Sequence, residues 1–433
     1  MALGGGTFQA MDKIIPGTYI NVVSKSYTAD ASDRGTAAMG LTLDWGPDST
    51  AFTVLASEVR AKALKIFGYS LEDDAMKDIR EIFKHATKLI AYKLTSGGTK
   101  ASNTYATAKY TGTRGNSLSI VVSKNVDDET KYDVVTRLGN NTVDTQTVSA
   151  ATGLVDNSFV DFIKSSTLAV GTLALAGGTN GTVDGTAHQA ALTAFESQSF
   201  NVLGLDSSDA TTKDMYVAYT KRMRDEQGSK FQLVAYQDAA DYEGVINLKN
   251  TVSDTGASAS ALVYWLTGAE AGCKVPGSLT NFKYDGEYTV TPTLSQAELE
   301  LAITDGELAF HRDGDDIRVL MDVNSLTTYT TAKSNLFAKN ETVRTVDGFA
   351  TEVCSIANTK YIGLVPNNKD GRMSLWGEIS ALHKKYEQKG AVTGYDTADL
   401  TVEAGEGKGD VVVTDALTVV GTVEKLYVTM LIG

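Results

Sequence analysis

Residues 99 to about 177 differ in composition from the sequence on either side of them. This stretch is rich in Thr, Ser, Gly and Val, and its strand-like runs NSLSIVVSK and KYDVVTRL are separated by turn residues such as Gly139-Asn140-Asn141. Helix-like and strand-like segments alternate before and after it. Because the early segments need later ones as sheet partners, the pattern predicts a layered α/β core interrupted by an inserted β-rich domain.

The flanking segments carry ordinary helix and strand signals. Met76, Ile79 and Phe83 recur at helical spacing, and Ser70 stands where the N-cap of that helix is expected. The run LIAYKL is typical of a strand. After the insertion, helices and strands are predicted in alternation: HQAALTAFESQS, FNVLGLD, SSDATTKDMYVAYTKRMRDEQG and FQLVAY.

The last third of the chain begins with a predicted hairpin, ELAFHRDGDDIRVLMDV, and two helices over residues 334–356 and 371–388. Its final 35 residues are extended. The fold class is therefore a multidomain α+β or α/β protein with extended terminal arms. The predicted division is an N-terminal arm and tether (1–35), the first part of the core (36–97), the insertion (98–178), the second part of the core (179–350) and C-terminal helices and strands (351–433).

Both ends of the sequence contain an extended, two-faced apolar segment on a flexible lead. In the first segment Thr18, Ile20 and Val22 alternate with Tyr19, Asn21 and Val23, and the polar stretch SKSYTADASDRG follows. The second segment comprises Leu426, Tyr427, Val428, Thr429, Met430, Leu431 and Ile432, after the flexible AGEGKGD. Such strands are equipped to join the sheet of another molecule, whereas the alternative is that both pack on their own domain.

Composition excludes several classes of function. Thirty-nine basic residues against 53 acidic ones give a net charge of −14, which repels nucleic acid. Two cysteines are too few for a disulfide framework or a cysteine-based zinc site. The sequence shows neither a secretion signal nor an apolar run of about 18 residues. We therefore expect no nucleic-acid partner and no membrane insertion.

Motifs that carry catalysis or bind cofactors are not recognisable. The four histidines, at positions 85, 188, 311 and 383, form no ligand pair. Gly177–Gly181 lacks the Lys-Ser/Thr ending of a phosphate loop and reads as a turn at a domain junction. Asp313, Asp315 and Asp316 begin like a calcium loop, but the glycine and glutamate that complete one are missing. The sequence predicts no enzyme, no cofactor and no metal site.

The order of short motifs along nearly the whole chain resembles the sheath protein of contractile phage tails and phage-tail-like bacteriocins. The matching pieces are LTLDWGPDSTAFTVLAS, ATAKYTGTRGNSLSI, AGGTNGT, YVAYTKRMRDEQGSKFQLVAY, DYEGVINLKN, IRVLMDVNSLTTYT, LVPNNKDGRMSLWGEI and VEKLYVTMLIG. The resemblance implies a structural subunit stacked as six-fold rings around an inner tube. It further implies that the sheath is assembled extended and metastable, and that it contracts to drive the tube through a target envelope.

By the same resemblance, each subunit passes both terminal arms to neighbouring copies. The donated strands map to Thr18–Val23 and Leu426–Ile432, and the acceptor sheet maps near residues 307–323 and 399–420. The implied partners are further copies of this chain, the inner tail tube protein, and baseplate and tail-terminator proteins. Assembly is expected in the bacterial cytoplasm, and the product is a virion tail or a released phage-tail-like particle.

Two other functions compete with this interpretation. A non-sheath adhesive or carbohydrate-binding structural protein of the same particle would use the Thr- and Gly-rich insertion as its binding face. A cytosolic α/β enzyme would instead form a monomer or small closed oligomer, with a ligand pocket in the crevice at the carboxyl ends of the strands.

Overall fold

The computed structural model describes residues 34–291 and 294–432. The strands are β1 Thr36–Leu41, β2 Ala51–Leu55, β3 Lys88–Lys93, β4 Lys100–Ser102, β5 Ala106–Thr111, β6 Leu118–Lys124, β7 Tyr132–Leu138, β8 Asn141–Val148, β9 Val160–Phe162, β10 Gly171–Ala174, β11 Val202–Leu205, β12 Gln232–Tyr236, β13 Val245–Leu248, β14 Glu307–Leu308, β15 Phe310–Asp313, β16 Asp316–Val319, β17 Leu400–Ala404 and β18 Val411–Asp415. The α-helices are α1 Ala56–Phe67, α2 Lys77–Phe83, α3 Gly185–Phe195, α4 Ala210–Lys221, α5 Leu262–Gly272, α6 Gln296–Thr304, α7 Asn340–Ile356 and α8 Lys369–Gln388.

The largest sheet combines strands from both sides of the insertion. Its order is β14-β13-β12-β11-β1-β3-β2, and every neighbouring pair is parallel except β2 with β3. β1 pairs with β11, so that Ala37 lies opposite Val202 and Met39 opposite Gly204. The predicted fold class, an α/β core interrupted by a β-rich insertion, is confirmed.

Alternation along the strands of this sheet creates two cores. Ala37, Met39 and Leu41 face the side covered by α1, α2 and α5, whereas Ala38 faces the side covered by α3 and α4. A sheet buried on both faces requires near-continuous apolar strands, and VLGL in β11 and VINL in β13 satisfy that requirement. The core is therefore a three-layer α/β/α unit.

The insertion has a core of its own between two antiparallel sheets, β10-β6-β7-β8 and β4-β5-β9. Trp45 belongs to the α/β part of the chain, but it is fully buried in the core of the insertion. Its ring lies 5.2 Å from that of Tyr110 and 6.2 Å from that of Phe159, and its indole N–H donates to Lys65 O at 3.2 Å. One aromatic side chain thus links the two units.

A buried polar contact reinforces this junction. The Lys93 ammonium, at the end of β3, donates to Asp48 Oδ1 at 2.9 Å and to Thr111 O of β5 at 2.6 Å. The Asp48 carboxylate also accepts from Thr111 N at 3.0 Å and from Thr111 Oγ1 at 2.6 Å. Burial alone would raise the pKa of Asp48, but the hydrogen bonds from Thr111 and Lys93 outweigh burial and lower it.

The C-terminal unit consists of α7, α8 and the hairpin β17–β18. Phe349, Ile379, Tyr386 and Leu400 form its apolar core. Only the second half of α7 takes part in that core, because the first half is inserted into the α/β unit. The predicted domain boundary between residues 350 and 351 lies within α7, and the five-part division stays a prediction.

A buried charged cluster holds the first half of α7. Arg344 donates to Glu270 of α5 and, at 2.6 Å, to Asp322, and Asn340 donates to Asp322 at 2.8 Å. Burial, followed by the neighbouring negative charge of Asp322, raises the pKa of Glu270 to about 8. The pKa of Asp322 is lowered, since Arg344 and its hydrogen-bond donors outweigh its burial.

Two helices begin later than the sequence suggested. The Ser70 N–H donates to the Asp73 carboxylate within a turn, so the helix predicted after Ser70 starts at Lys77. Lys339 is extended, with φ of −101° and ψ of 127°, and it separates a short 3₁₀ turn from α7, which starts at Asn340. In both cases the turn that precedes the helix moves the start of the helix to a later residue.

The junction contact predicts a large cost for Asp48→Ala. The substitution leaves the Lys93 ammonium buried without its carboxylate, so we expect a loss of about 2–4 kcal/mol in the free energy of unfolding. Urea denaturation measures it. Asp161→Ala, which removes the partner of the half-exposed Lys109, is the matched control and should cost less than about 1 kcal/mol. Equal losses of unfolding free energy in the two variants would show that the contact between Lys93 and Asp48 is no stronger than a surface ion pair.

The raised pKa of Glu270 predicts a pH dependence of stability. The pKa of Glu270 is higher in the folded protein than the ordinary value of 4.5, at which the unfolded chain releases the proton. This contribution to stability is therefore complete below the unfolded pKa and is lost as the pH rises towards 8. Glu270→Gln mimics the neutral carboxyl group, so the fall in unfolding free energy from pH 5 to pH 8 should be smaller in this variant than in the parent. If the unfolding free energy falls equally in Glu270→Gln and in the parent, Glu270 is not the source of the pH dependence. Glu378→Gln, at a solvent-accessible site, is the control and should behave like the parent.

Candidate functional site

The C-terminal segment predicted to act as an arm lies outside the helices and strands of the described chain and is exposed. Its large apolar side chains, Leu426, Tyr427, Val428, Met430, Leu431 and Ile432, are between 63% and 97% exposed. No hydrogen bond joins residues 425–432 to any other described part of the chain. Thr18–Val23, the other predicted arm, lies outside the described residues.

The chain just before this segment is fastened to the C-terminal unit at regular intervals. Thr393 N donates to Thr418 O at 2.9 Å, and Val420 N donates to Ala391 O at 3.0 Å. These two backbone bonds flank the bridge between Val392 and Val419. The path of the chain is therefore fixed up to residue 420.

The next four residues, 421–424, are held by two side chains at the N-terminal end of α7. One belongs to the helix and the other immediately precedes it. The Glu341 carboxylate accepts from Thr422 N at 3.2 Å and from Thr422 Oγ1 at 2.7 Å. Lys339, immediately before α7, forms an ion pair with Glu424. Sequence reasoning missed both contacts, because nothing in the spacing of residues 339–341 marks them as partners of residues 422–424.

The hairpin β17–β18 lies in the first part of the predicted acceptor region 399–420. Among the described residues it pairs with no third strand. Val411, Val412 and Val413 of β18 are 38%, 52% and 37% exposed. The hairpin is thus an isolated two-stranded sheet with an apolar strand open to solvent.

Two polar contacts join this hairpin to α8. His383 of α8 is buried, and its Nε2 lies 2.7 Å from Asp415 Oδ1 at the end of β18. The indole N–H of Trp376 donates to Leu400 O at the start of β17 at 3.0 Å. The hairpin is therefore held in a fixed orientation although it lacks a third strand.

The other predicted acceptor region, residues 307–323, is integrated into the α/β core. β14 forms the edge of the large sheet beside β13, and Phe310 and Val319 of the hairpin β15–β16 are fully buried in the main core. The tip of this hairpin carries Asp313 and Asp316, both of which pair with Arg318. Among the described residues, no cluster of three potential ligands that could hold a metal is present.

At the crevice where ligands usually bind in α/β sheets, Asp206 contacts Ser260, two residues before α5, and Tyr264 of α5. Asp206 follows β11 at the carboxyl edge of the sheet, next to β1, where the strand order reverses. Its carboxylate accepts from Ser260 Oγ at 2.5 Å and from Tyr264 Oη at 2.9 Å. The Asp206 carboxylate is therefore engaged by hydroxyl groups of the chain itself.

An open cleft of about 350 Å³ lies between β2 and α1. Its charged lining residues Glu58 and Lys62 pair with each other at 2.6 Å on the surface of α1. A surface pair one helical turn apart is an ordinary feature of a solvated helix. The cleft therefore carries no arrangement that suggests catalysis.

None of the helices in the described ranges has both the length and the apolar character to span a membrane.

Four family models match successive parts of the chain. They are the tail sheath protein Gp18 domain III N-terminal region (residues 34–94), the phage tail sheath protein beta-sandwich domain (96–180), the phage tail sheath protein central domain (181–325) and the phage tail sheath C-terminal domain (332–433). The second range coincides with the insertion that packs around Trp45.

Individual relatives agree with these models. The phage-like element PBSX protein XkdK of Bacillus subtilis is 30% identical, over 98% of this chain and 99% of its own. A sheath tail protein of Desulfitobacterium hafniense has a similar structure, with a TM-score of 0.82 and 34% identity over 95% of this chain and 99% of its own. The contracted helical sheath of the anti-feeding prophage shares the fold at 11% identity, with a TM-score of 0.56 over 96% of this chain and 98% of its own. The chain therefore belongs to the phage tail sheath protein family.

Proposed function

We propose that this sheath protein polymerises as stacked six-fold rings around an inner tail tube, and that the sheath contracts to drive the tube through a target cell envelope. The observation that carries the proposal is the exposed apolar segment Leu426–Ile432, whose backbone makes no hydrogen bond to another described residue. An extended segment of this kind is satisfied when it adds to the sheet of a second molecule.

The hairpin β17–β18 is the proposed acceptor for donated strands. A two-stranded sheet is only marginally stable by itself, and further strands would complete its hydrogen bonding. Val412, the second residue of β18, would be covered by the incoming apolar side chains. Since the donor segment and the acceptor hairpin are different surfaces of one chain, the contact is heterologous and propagates from copy to copy.

The N-terminal arm is proposed to act in the same way. Its support is the alternation of Thr18–Val23 and the resemblance of the whole sequence to sheath proteins. With two arms per subunit, each copy joins neighbours in two directions, and the assembly becomes a mesh instead of a simple chain.

Contraction requires bodies that re-pack while their connections persist. The three-layer core, the insertion and the C-terminal unit are rigid parts, and the arms are the compliant connections between copies. We propose that the extended sheath is held by a kinetic barrier that the baseplate releases. Inner tube, baseplate and tail-terminator proteins are the proposed partners, and assembly is proposed to precede release from the bacterial cytoplasm.

The sheath family is a structural one, and we propose that this chain has no catalytic activity of its own. The Asp206 carboxylate, which accepts hydrogen bonds from Ser260 and Tyr264, is consistent with this view. The proposed role rests on surfaces that polymerise and not on a reactive group.

The arm proposal predicts that ending the chain after Lys425 leaves a folded, soluble body that forms no ordered tubes. Leu426→Asp and Val428→Asp should act in the same direction, because both place a charge in the sheet of another subunit. The unfolding midpoint should stay within about 2 °C of the parent value, since these side chains are exposed in the single chain. Negative-stain microscopy and thermal denaturation provide the two measurements.

Val126→Asp is the matched control for this experiment. Val126 is 93% exposed in a loop of the insertion, and the substitution adds the same charge away from the arm. We expect normal assembly from this variant. Ordered tubes from the truncated chain would refute strand donation by the C-terminus.

The acceptor proposal predicts that Val412→Asp blocks polymerisation while changing the free energy of unfolding by less than about 1 kcal/mol, because Val412 is half exposed in the single chain. Val155→Asp, at an exposed site in the insertion, serves as its control. Sedimentation velocity and microscopy distinguish soluble single chains from tubes. If Val412→Asp polymerises as Val155→Asp does, β18 is not the acceptor.

A further inference from the structure

We infer that Lys339 and Glu341 are positioning residues that fix the point and the direction in which the C-terminal arm leaves the body. We further infer that α7 connects this anchor to the base of the N-terminal arm. The inference rests on the proposed function, because it assigns a purpose to the root of a donated strand. It concerns residues of the body, however, and not the strand itself.

The anchor is the last place where the described chain forms hydrogen bonds or an ion pair with its own body. Backbone bonds hold residues 418 and 420, Glu341 holds Thr422, and Lys339 holds Glu424. The apolar side chains that follow are exposed. The hydrogen bonds and ion pairs between this part of the described chain and the body therefore end at Glu424.

Glu341 is well suited to hold a backbone N–H group. It is buried, with 6% of its surface exposed, and it lies in the first turn of α7, where the helix N-terminus stabilises a negative charge. Its carboxylate accepts both the amide and the hydroxyl of Thr422. Hydrogen bonds to a carboxylate are stronger than neutral ones, so the contact restrains the backbone direction at residue 422.

The same helix extends this anchor into the buried charged cluster. Arg344 lies one turn after Glu341 and donates to Glu270 and Asp322. Its side chain is 1% exposed, so the cluster is enclosed by protein. A displacement of residue 422 therefore acts on a helix whose first half is locked into the α/β core.

The start of the described chain also contacts this cluster. Arg34, the first residue that the structure describes, donates through Nε to Cys273 O at 2.9 Å and through Nη2 to Glu270 O at 3.0 Å. Glu270 thus contacts Arg34 with its carbonyl and Arg344 with its carboxyl group. The bases of the two arms are joined through Arg34, Glu270, Arg344 and Glu341.

This connection has a mechanical consequence in the mesh. Tension applied to one arm reaches the base of the other through hydrogen bonds and one helix, without deforming the apolar cores. The two arm roots therefore keep a fixed relative orientation while the bodies rotate. If the bases of the arms are anchored, we expect polymers with regular helical order. If the anchoring contacts are lost, we expect polymers that are still connected but irregular.

The test compares Thr422→Val with Glu341→Ala and Glu341→Gln in the full chain. Thr422→Val removes the hydroxyl hydrogen bond without altering α7, and Glu341→Gln keeps one accepting oxygen. Lys360→Ala, which breaks an exposed ion pair with Glu378 in the same unit, is the control. The readouts are hydrogen exchange of residues 418–424 in the dispersed protein and the order of negatively stained tubes.

We expect exchange at residue 422 to become about tenfold faster in Glu341→Ala, with a smaller change in Glu341→Gln and none in Lys360→Ala. Glu341→Ala and Thr422→Val should still associate, but their tubes should lose regular layer lines. Wild-type helical order in both variants would overturn the inference.

The chain ending after Lys425 separates this inference from the proposed function. It retains Thr422 and Glu424 but cannot donate a strand. If it forms ordered tubes, strand donation itself is wrong. If it forms none while Glu341→Ala and Thr422→Val form regular ones, strand donation stands and the anchor is overturned.

Discussion

The parallel pairing of β1 with β11 is the constraint on which the rest of the architecture depends. It places Ala37 opposite Val202 and so joins segments that the whole insertion separates in sequence. The insertion must consequently leave and re-enter the core at one point. There Thr99 bridges Thr179, and a side chain at Gly98 would lie 1.9 Å from Thr179 O. Glycine is required because the two backbones touch.

Much of this architecture could be predicted because it follows from local composition and period. The change to Thr, Ser, Gly and Val marked the insertion, and the alternation of helices and strands marked the core. The contacts that lock the units together could not be predicted. Arg344, Glu270 and Asp322 are isolated charges in the sequence, and only the folded chain brings them into one buried cluster. Side-chain pairing across long sequence distances leaves no periodic signal.

In the candidate site, too, one feature could be predicted from the sequence and another could not. An apolar segment with two apolar faces suggests that Leu426–Ile432 needs a partner, and periodicity alone is enough for that suggestion. Periodicity does not say which sheet accepts a strand. The two expected acceptor regions differ in burial. Phe310 of β15–β16 is fully buried in the main core of the α/β unit, whereas Val412 of β17–β18 is half exposed. That difference in burial favours β17–β18, and it depends on tertiary packing.

Energetics assigns different roles to the arms and the bodies of the proposed sheath. Six backbone hydrogen bonds at a net 0.5–1.5 kcal/mol each give a donated strand about 3–9 kcal/mol before apolar burial and ordering are included. Under the proposed function, a joint of this strength would survive large movements of the bodies that it connects. An interaction of equal strength in two states does not shift the equilibrium between them. If the joints persist through contraction, their energy cancels, and the direction of contraction must come from contacts between bodies that differ in the two lattices. The arms then determine which copies remain neighbours, and their anchors at α7 determine how regular the arrangement remains.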